Sequence, residues 1–224
     1  NVCSKEHLSY NAVDTPFWFF WSIHKLHQMT NGKTDVWKLY GETIKQILNA
    51  FDKDKNELLS IHENGLIWHG QRDQASTWMD AIVNNKPVVP RRGYLVEINA
   101  IWYDSLCFFL ELAKENKEKS FLKKWSEFPE KIKKSFSKLF WDEKKGYLAD
   151  YVEEDEANWD IRPNMVFAVA EKYSLLSTLQ KEYVMKTIQD ELLTKKGLRS
   201  LSPENNNFQG RSEGNEQQRN AAHH

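Results

Sequence analysis

Three stretches of this chain are apolar almost all the way round a helix, and each is followed by a helix that is apolar on one side only. The first begins at Asp14-Thr15-Pro16, where a capping oxygen precedes a proline whose missing N–H is harmless in the first turn. Phe17, Trp18, Phe19, Phe20, Trp21 and Ile23 leave this helix little polar face, so it must be enclosed. Its partner, capped by Thr34 and running to about Phe51, carries Val36, Trp37, Tyr40, Ile44, Ile47, Leu48 and Phe51 in one stripe, with Lys38, Glu42 and Lys45 off it. The pattern returns from Glu97 to about Glu111, followed by a Lys-rich amphipathic helix from Ser120 to Phe140. It returns again where Arg162-Pro163 opens a helix through Val169, and Ser177 or Thr178 caps a partner ending near Leu193.

Enclosed helices that begin near 15, 97 and 163, each behind a polar loop, suit a ring whose inner helices present their N-terminal ends at one rim. The pattern predicts an all-α fold, an (α/α)6 toroid represented here by about three helix pairs; a compact six-helix bundle accounts for the same alternation. A full ring needs roughly twice this length, so the chain reads as incomplete. Short extended pieces are expected between Leu58 and Trp68, around Asn64-Gly65, and from Gly146 to Val152. Residues 201–224 are polar without apolar periodicity and read as a loop-like end.

Charge narrows the function. Lys and Arg number 31 against 32 Asp and Glu, which gives no electrostatic case for a nucleic-acid or anionic-membrane partner. Cys3 and Cys107 have no metal or disulfide spacing, so neither a disulfide framework nor a zinc site is indicated, and no cofactor is expected. No apolar run reaches membrane-spanning length and the first ten residues are not a signal peptide, which makes the cytoplasm the default location.

The chemistry concentrates in Gly65 to Ala81, GLIWHGQRDQASTWMDA. Trp68 and Trp78 offer flat faces for the C–H side of a pyranose, while Gln71, Arg72, Asp73 and Asp80 can grip hydroxyls or move protons. The same residues also suit core indoles and a helix-capping aspartate.

Taken in order, YNAVDTPFWFF (10–20), STWMDA (76–81), RRGYLVEINAIWYDSL (91–106), GYLADYV (146–152), DIRPNMVFAVA (160–170), GLRSLSPE (197–204) and RNAAHH (219–224) resemble the C-terminal amylo-α-1,6-glucosidase domain of glycogen debranching enzymes. The resemblance implies an (α/α)6 toroid that hydrolyses the α-1,6-linked glucose stub of a branched α-glucan, glycogen or limit dextrin, with inversion. It assigns the general acid to Asp80, through Thr77-Trp78-Met79-Asp80. The family's base, a glutamate, lies beyond the position of His224, so residues 1–224 read as the central part of that domain, carrying the acid without the base. Other toroid glucosidases, glucoamylase-like or trehalose-processing, and a non-catalytic carbohydrate-binding toroid remain alternatives.

Family position also marks substrate-binding candidates. Asp14 either binds a hydroxyl or caps its helix, and Trp18 is a ligand platform or core. Glu97, beside Arg91 and Arg92, is a substrate ligand or half of a buried ion pair. Arg162 and Asn164 stand at a third helix head, and Arg199 with Glu204 lies in a loop that reaches the same rim. Arg72, Trp78, Arg92 and His224 complete the candidate set. His223 and His224 read as substrate-loop residues rather than a tag or metal ligands.

Overall fold

The computed structural model describes residues 12–53, 58–70 and 74–222. Helix α1 (Thr15–Met29) begins where expected, but the Asp14 carboxylate does not cap it. It accepts the indole N–H of Trp18 at 3.1 Å instead, while the Asp14 carbonyl takes the first helical amides. Helix α2 (Val36–Lys53) is capped by Asp35, whose carboxylate accepts the Lys38 amide at 3.0 Å; Thr34, the predicted cap, lies one residue too early.

Strands β1 (Leu59–Ile61) and β2 (Ile67–His69) form the hairpin expected around Asn64-Gly65. A second hairpin, β3 (Ile82–Val83) and β4 (Lys86–Pro87), was not predicted. It turns on Asn84 and Asn85, both at positive φ, the conformation a two-residue hairpin turn demands and Asn tolerates. Strand β5 (Tyr94–Leu95) then leads into α3 (Val96–Glu115). The predicted Ser120–Phe140 helix is two, α4 (Lys119–Trp125) and α5 (Phe128–Phe140). Pro129 explains the break, because it lacks the N–H that would bond the Trp125 carbonyl and its ring clashes with that carbonyl, while Pro is tolerated in the first turn of the new helix.

Strands β6 (Trp141–Asp142), β7 (Tyr147–Leu148), β8 (Tyr151–Glu153) and β9 (Glu156–Asn158) follow, and β8 joins β5 to β9 in one antiparallel sheet. The helix expected from Pro163 to Val169 is a single 3₁₀ turn (Pro163–Met165) running into a short α6 (Val166–Ala170). It stops where Glu171 turns extended and sends its carboxylate to the Trp21 indole and Lys25. Ser177 and Gln180 cap each other at the start of α7 (Thr178–Thr187), which ends in a π-helical turn before the hairpin β10 (Leu193–Thr194) and β11 (Gly197–Leu198). Within the end predicted to be loop-like lies α8 (Glu216–Ala221), started by the same reciprocal cap between Asn215 and Gln218.

The helices stack as the alternation required. Helix α3 packs against α1 on one side and α6 on the other; α2 covers α1, α4 and α5 cover α3, and α7 covers α6. Aromatic contacts join the layers: Phe17 stacks on Phe51 at 5.6 Å, Phe20 meets Phe109 edge-on at 5.1 Å, and Trp18 meets Phe167 at 5.2 Å. The buried imidazole of His24 lies 2.7 Å from Asp104, whose other oxygen accepts the Tyr173 amide, so one carboxylate ties α1, α3 and the loop after α6 together. No helix among the described residues is long and apolar enough to cross a membrane.

Candidate active site

Residues 76–80 lie against the heads of α1 and α6. The Val13 amide donates to the Ser76 carbonyl at 2.8 Å, which fixes the segment against the start of α1. The Trp78 indole donates to Asn164 Oδ1 at 2.8 Å, and Asn164 Nδ2 reaches Met79 Sδ at 3.6 Å, which fix it against the head of α6. On its far side the β3–β4 hairpin packs on α8, where Asn220 donates to the Ile82 carbonyl at 3.3 Å. Trp78 is 45% exposed on this surface. Asp80 is exposed too, and its carboxylate has no protein partner among the described residues.

Beneath the exposed pair lies a buried charged cluster. The Arg91 guanidinium donates Nε to Asp150 Oδ2 at 2.9 Å and Nη2 to Glu97 Oε2 at 2.7 Å, with further bonds to Glu97 Oε1, Asp150 Oδ1 and the Asp150 carbonyl. Asp150 also receives Asn164 Nδ2 at 2.6 Å and faces Arg162 Nε at 3.7 Å. Burial on its own would weaken the Arg91 charge, but Asp150 and Glu97 more than offset it and hold its pKa above the ordinary arginine value. For Asp150 burial is the largest influence and pushes its pKa above the usual carboxylate range, aided by Glu97 and opposed by Arg91, Arg162 and Asn164.

The predicted residues therefore divide. Asp14 and Trp18 pair at the head of α1, with Asp14 buried and Trp18 half-buried against Phe167. Trp78, Asp80 and Asn164 lie together. Glu97 is buried with both oxygens on Arg91, the ion-pair arrangement. Arg162, also buried, bonds Asp160 at 3.2 Å and the Ser200 carbonyl at 3.4 Å, which brings the Arg199 loop to this cluster. The Arg199 side chain itself turns to the Glu191 carbonyl, and Glu204 is exposed.

Arg92 holds Glu153 and the Gly70 carbonyl and lies 5.4 Å over the Trp68 ring. Trp68 is not an open sugar face, because it is buried, stacked on His62 and met edge-on by Tyr94. Gln71, Arg72, Asp73, His223 and His224 lie outside the described residues. Asp150 was absent from the sequence reading, and Arg91 entered it only as a neighbour of Glu97. The one signal for Asp150 was a charged residue set among Leu148, Ala149 and Val152.

His69 anchors the segment from behind. Its Nδ1 faces the Leu58 carbonyl at 3.1 Å and its Nε2 faces Ser76 Oγ at 3.1 Å, so the neutral ring donates to the carbonyl and accepts from the hydroxyl. Burial, reinforced by the nearby Arg91 and Arg92 charges, lowers its pKa below the ordinary 6.5. The unfolded chain then binds the proton more tightly, so the stability contributed by neutral His69 is present above about pH 6.5 and is lost as pH falls through the folded value. Urea denaturation at pH 7.5 and pH 5 is expected to show that loss, and a His69→Gln variant is expected to show less of it. An identical pH slope in the variant would remove His69 from this role.

A cleft of about 370 Å³ on the β8–β9 hairpin is lined by Tyr151, Glu153, Glu154, Glu156, Ala157 and Asn158, none of them a predicted site residue. Among the described residues no group of three His, Cys, Asp or Glu side chains is placed to hold a metal ion. What the arrangement offers is an uncommitted carboxylate and an exposed indole mounted on a rigid ionic base.

No curated protein matches this chain. The family model described as amylo-alpha-1,6-glucosidase matches residues 1–224. With the whole chain covered, and with its Thr-Trp-Met-Asp block set against the heads of α1 and α6, the chain belongs to the amylo-α-1,6-glucosidase family, a family of glycoside hydrolases.

Proposed function

We propose that this chain supplies the general acid of an inverting α-1,6-glucosidase that removes single glucose residues from the branch points of glycogen or its limit dextrin, in the cytoplasm. Asp80 protonates the departing glycosidic oxygen, and Trp78 carries the C–H face of a sugar ring. The observation that supports this reading is the convergence of residues 76–80 on the heads of α1 and α6, through the Val13–Ser76 and Trp78–Asn164 bonds.

Inversion needs a second carboxylate, roughly 6.5–9.5 Å from the acid on the opposite face of the sugar, to activate a water. Glu97 and Asp150 do not suit that task, since both are buried and held by Arg91. Following the family resemblance, we place the base on a glutamate outside residues 1–224, within an (α/α)6 toroid to which α1 to α7 contribute. The test is glucose release from a branched limit dextrin by the whole protein, followed by proton NMR during the first turnovers. β-Glucose is expected to form first. α-Glucose first would refute inversion, and binding without release would make the protein a carbohydrate-binding toroid.

A further inference from the structure

We propose that Asn164 and Asp150 are positioning residues: they set the plane of the exposed Trp78 indole, so that it meets a sugar ring as a fixed platform. Half-exposed tryptophans on loops ordinarily sample several rotamers. Trp78 is 45% exposed, yet its only polar atom is tied at 2.8 Å to a side chain that is 1% exposed. The tie also has a defined polarity. An indole N–H can only donate and an ionised carboxylate can only accept, so a group between them must accept on one side and donate on the other. Asn164 does both, accepting from Trp78 on Oδ1 and donating from Nδ2 to Asp150 Oδ1 at 2.6 Å.

Asp150 is immobile in turn. Arg91 holds both its carboxylate oxygens, and its backbone amide donates to the Asn158 carbonyl at 2.8 Å. The connection therefore runs from Glu97 on α3 through Arg91, Asp150 and Asn164 to the surface indole. Asn164 Nδ2 also reaches the side-chain sulfur of Met79, the residue between Trp78 and Asp80, at 3.6 Å. An aromatic platform fixed before binding spends less of its contact energy on ordering. Its loss falls on substrate affinity more than on the chemical step.

This inference rests on the reading of Trp78 as a sugar platform, and the experiment separates the two. In the whole protein, Trp78 is replaced by 3-benzothienylalanine, which keeps the bicyclic face and removes only the N–H, and separately by Ala and by Phe. Asn164→Leu is made in the wild-type and Trp78→Phe backgrounds. KM, kcat and the dissociation constant for limit dextrin are measured for each. The benzothienyl variant and Asn164→Leu are each expected to weaken limit-dextrin binding and raise KM by about tenfold, more than kcat falls.

In the Trp78→Phe background, where no N–H remains to be held, Asn164→Leu is expected to add less than about twofold. Full additivity there, or unchanged binding in the benzothienyl variant, overturns the positioning role. Unchanged binding in Trp78→Ala overturns the platform itself and the positioning role with it. Absence of glucose release by the wild-type protein counts against the glucosidase reading alone, because the binding comparison still reports on the Asn164–Trp78 tie. The benzothienyl substitution lies at the surface, so it reports even if Asn164→Leu does not fold.

Discussion

Asp80→Asn in the whole protein is expected to lower turnover on a branched limit dextrin by about 10²–10⁴, the usual worth of a positioned general acid, with little change in glucan binding. The substitution keeps the shape of the side chain and removes the proton it can donate. Because the Asp80 carboxylate is exposed and has no protein partner among the described residues, the loss is expected in activity and not in stability. A substrate whose leaving group needs no proton separates the roles. With α-glucosyl fluoride the variant is expected to keep most of its rate, since fluoride departs unassisted. Turnover on limit dextrin within about threefold of wild type, or an equal loss on both substrates, would take the acid role from Asp80.

The contrast among the carboxylates of this region supports that division of labour. Glu97 and Asp150 are buried and saturated by one guanidinium, so they serve as fixed negative charge. Asp80, two residues after the Trp78 that reaches Asp150 through Asn164, is exposed and has no protein partner among the described residues. Environment, rather than residue type, separates the committed carboxylates from the free one here.

Periodicity made α1, α2 and α3 legible, since each buries a stripe or a whole surface that only a helix can present, whereas α7 buries only Val184 and was marked by its Ser177 cap. Periodicity did not reveal the break at Ser126-Glu127, because Ile132, Phe136 and Phe140 keep the same stripe after Pro129 interrupts the backbone. Strands of two residues, such as β3 and β4, are shorter than any alternation can mark, although Asn84-Asn85 carried the turn chemistry. Within the site, Asn164 was marked by its place at a helix head. The Arg91–Asp150 pair was not, because its members lie 59 residues apart and no local pattern encodes their meeting. Trp68 and Trp78 show the same limit: identical side chains ten positions apart, one stacked on His62 and one open to solvent, are separated only by tertiary packing.

Arg91→Met is expected to destabilise the fold by about 3–5 kcal/mol, because it leaves two buried carboxylates without their cation. Methionine fills much of the arginine's volume, so the loss measures charge and hydrogen bonding rather than a cavity. Arg91→Lys is expected to recover little of it, since an ammonium cannot reach Glu97 and Asp150 together with the paired bonds that the guanidinium makes. The pH dependence of the defect carries a sign that distinguishes this cause. Burial already pushes Asp150 above the usual carboxylate range, and removing Arg91 removes the largest influence opposing it. The folded variant then takes up protons that the unfolded chain does not. Relative to wild type at the same pH, its stability is therefore recovered as pH falls towards that raised value. Urea denaturation of both proteins between pH 7.5 and pH 5 is expected to show the gap narrowing. A gap that stays constant, or one under about 1 kcal/mol at pH 7.5, would mean that the cluster is not held by charge.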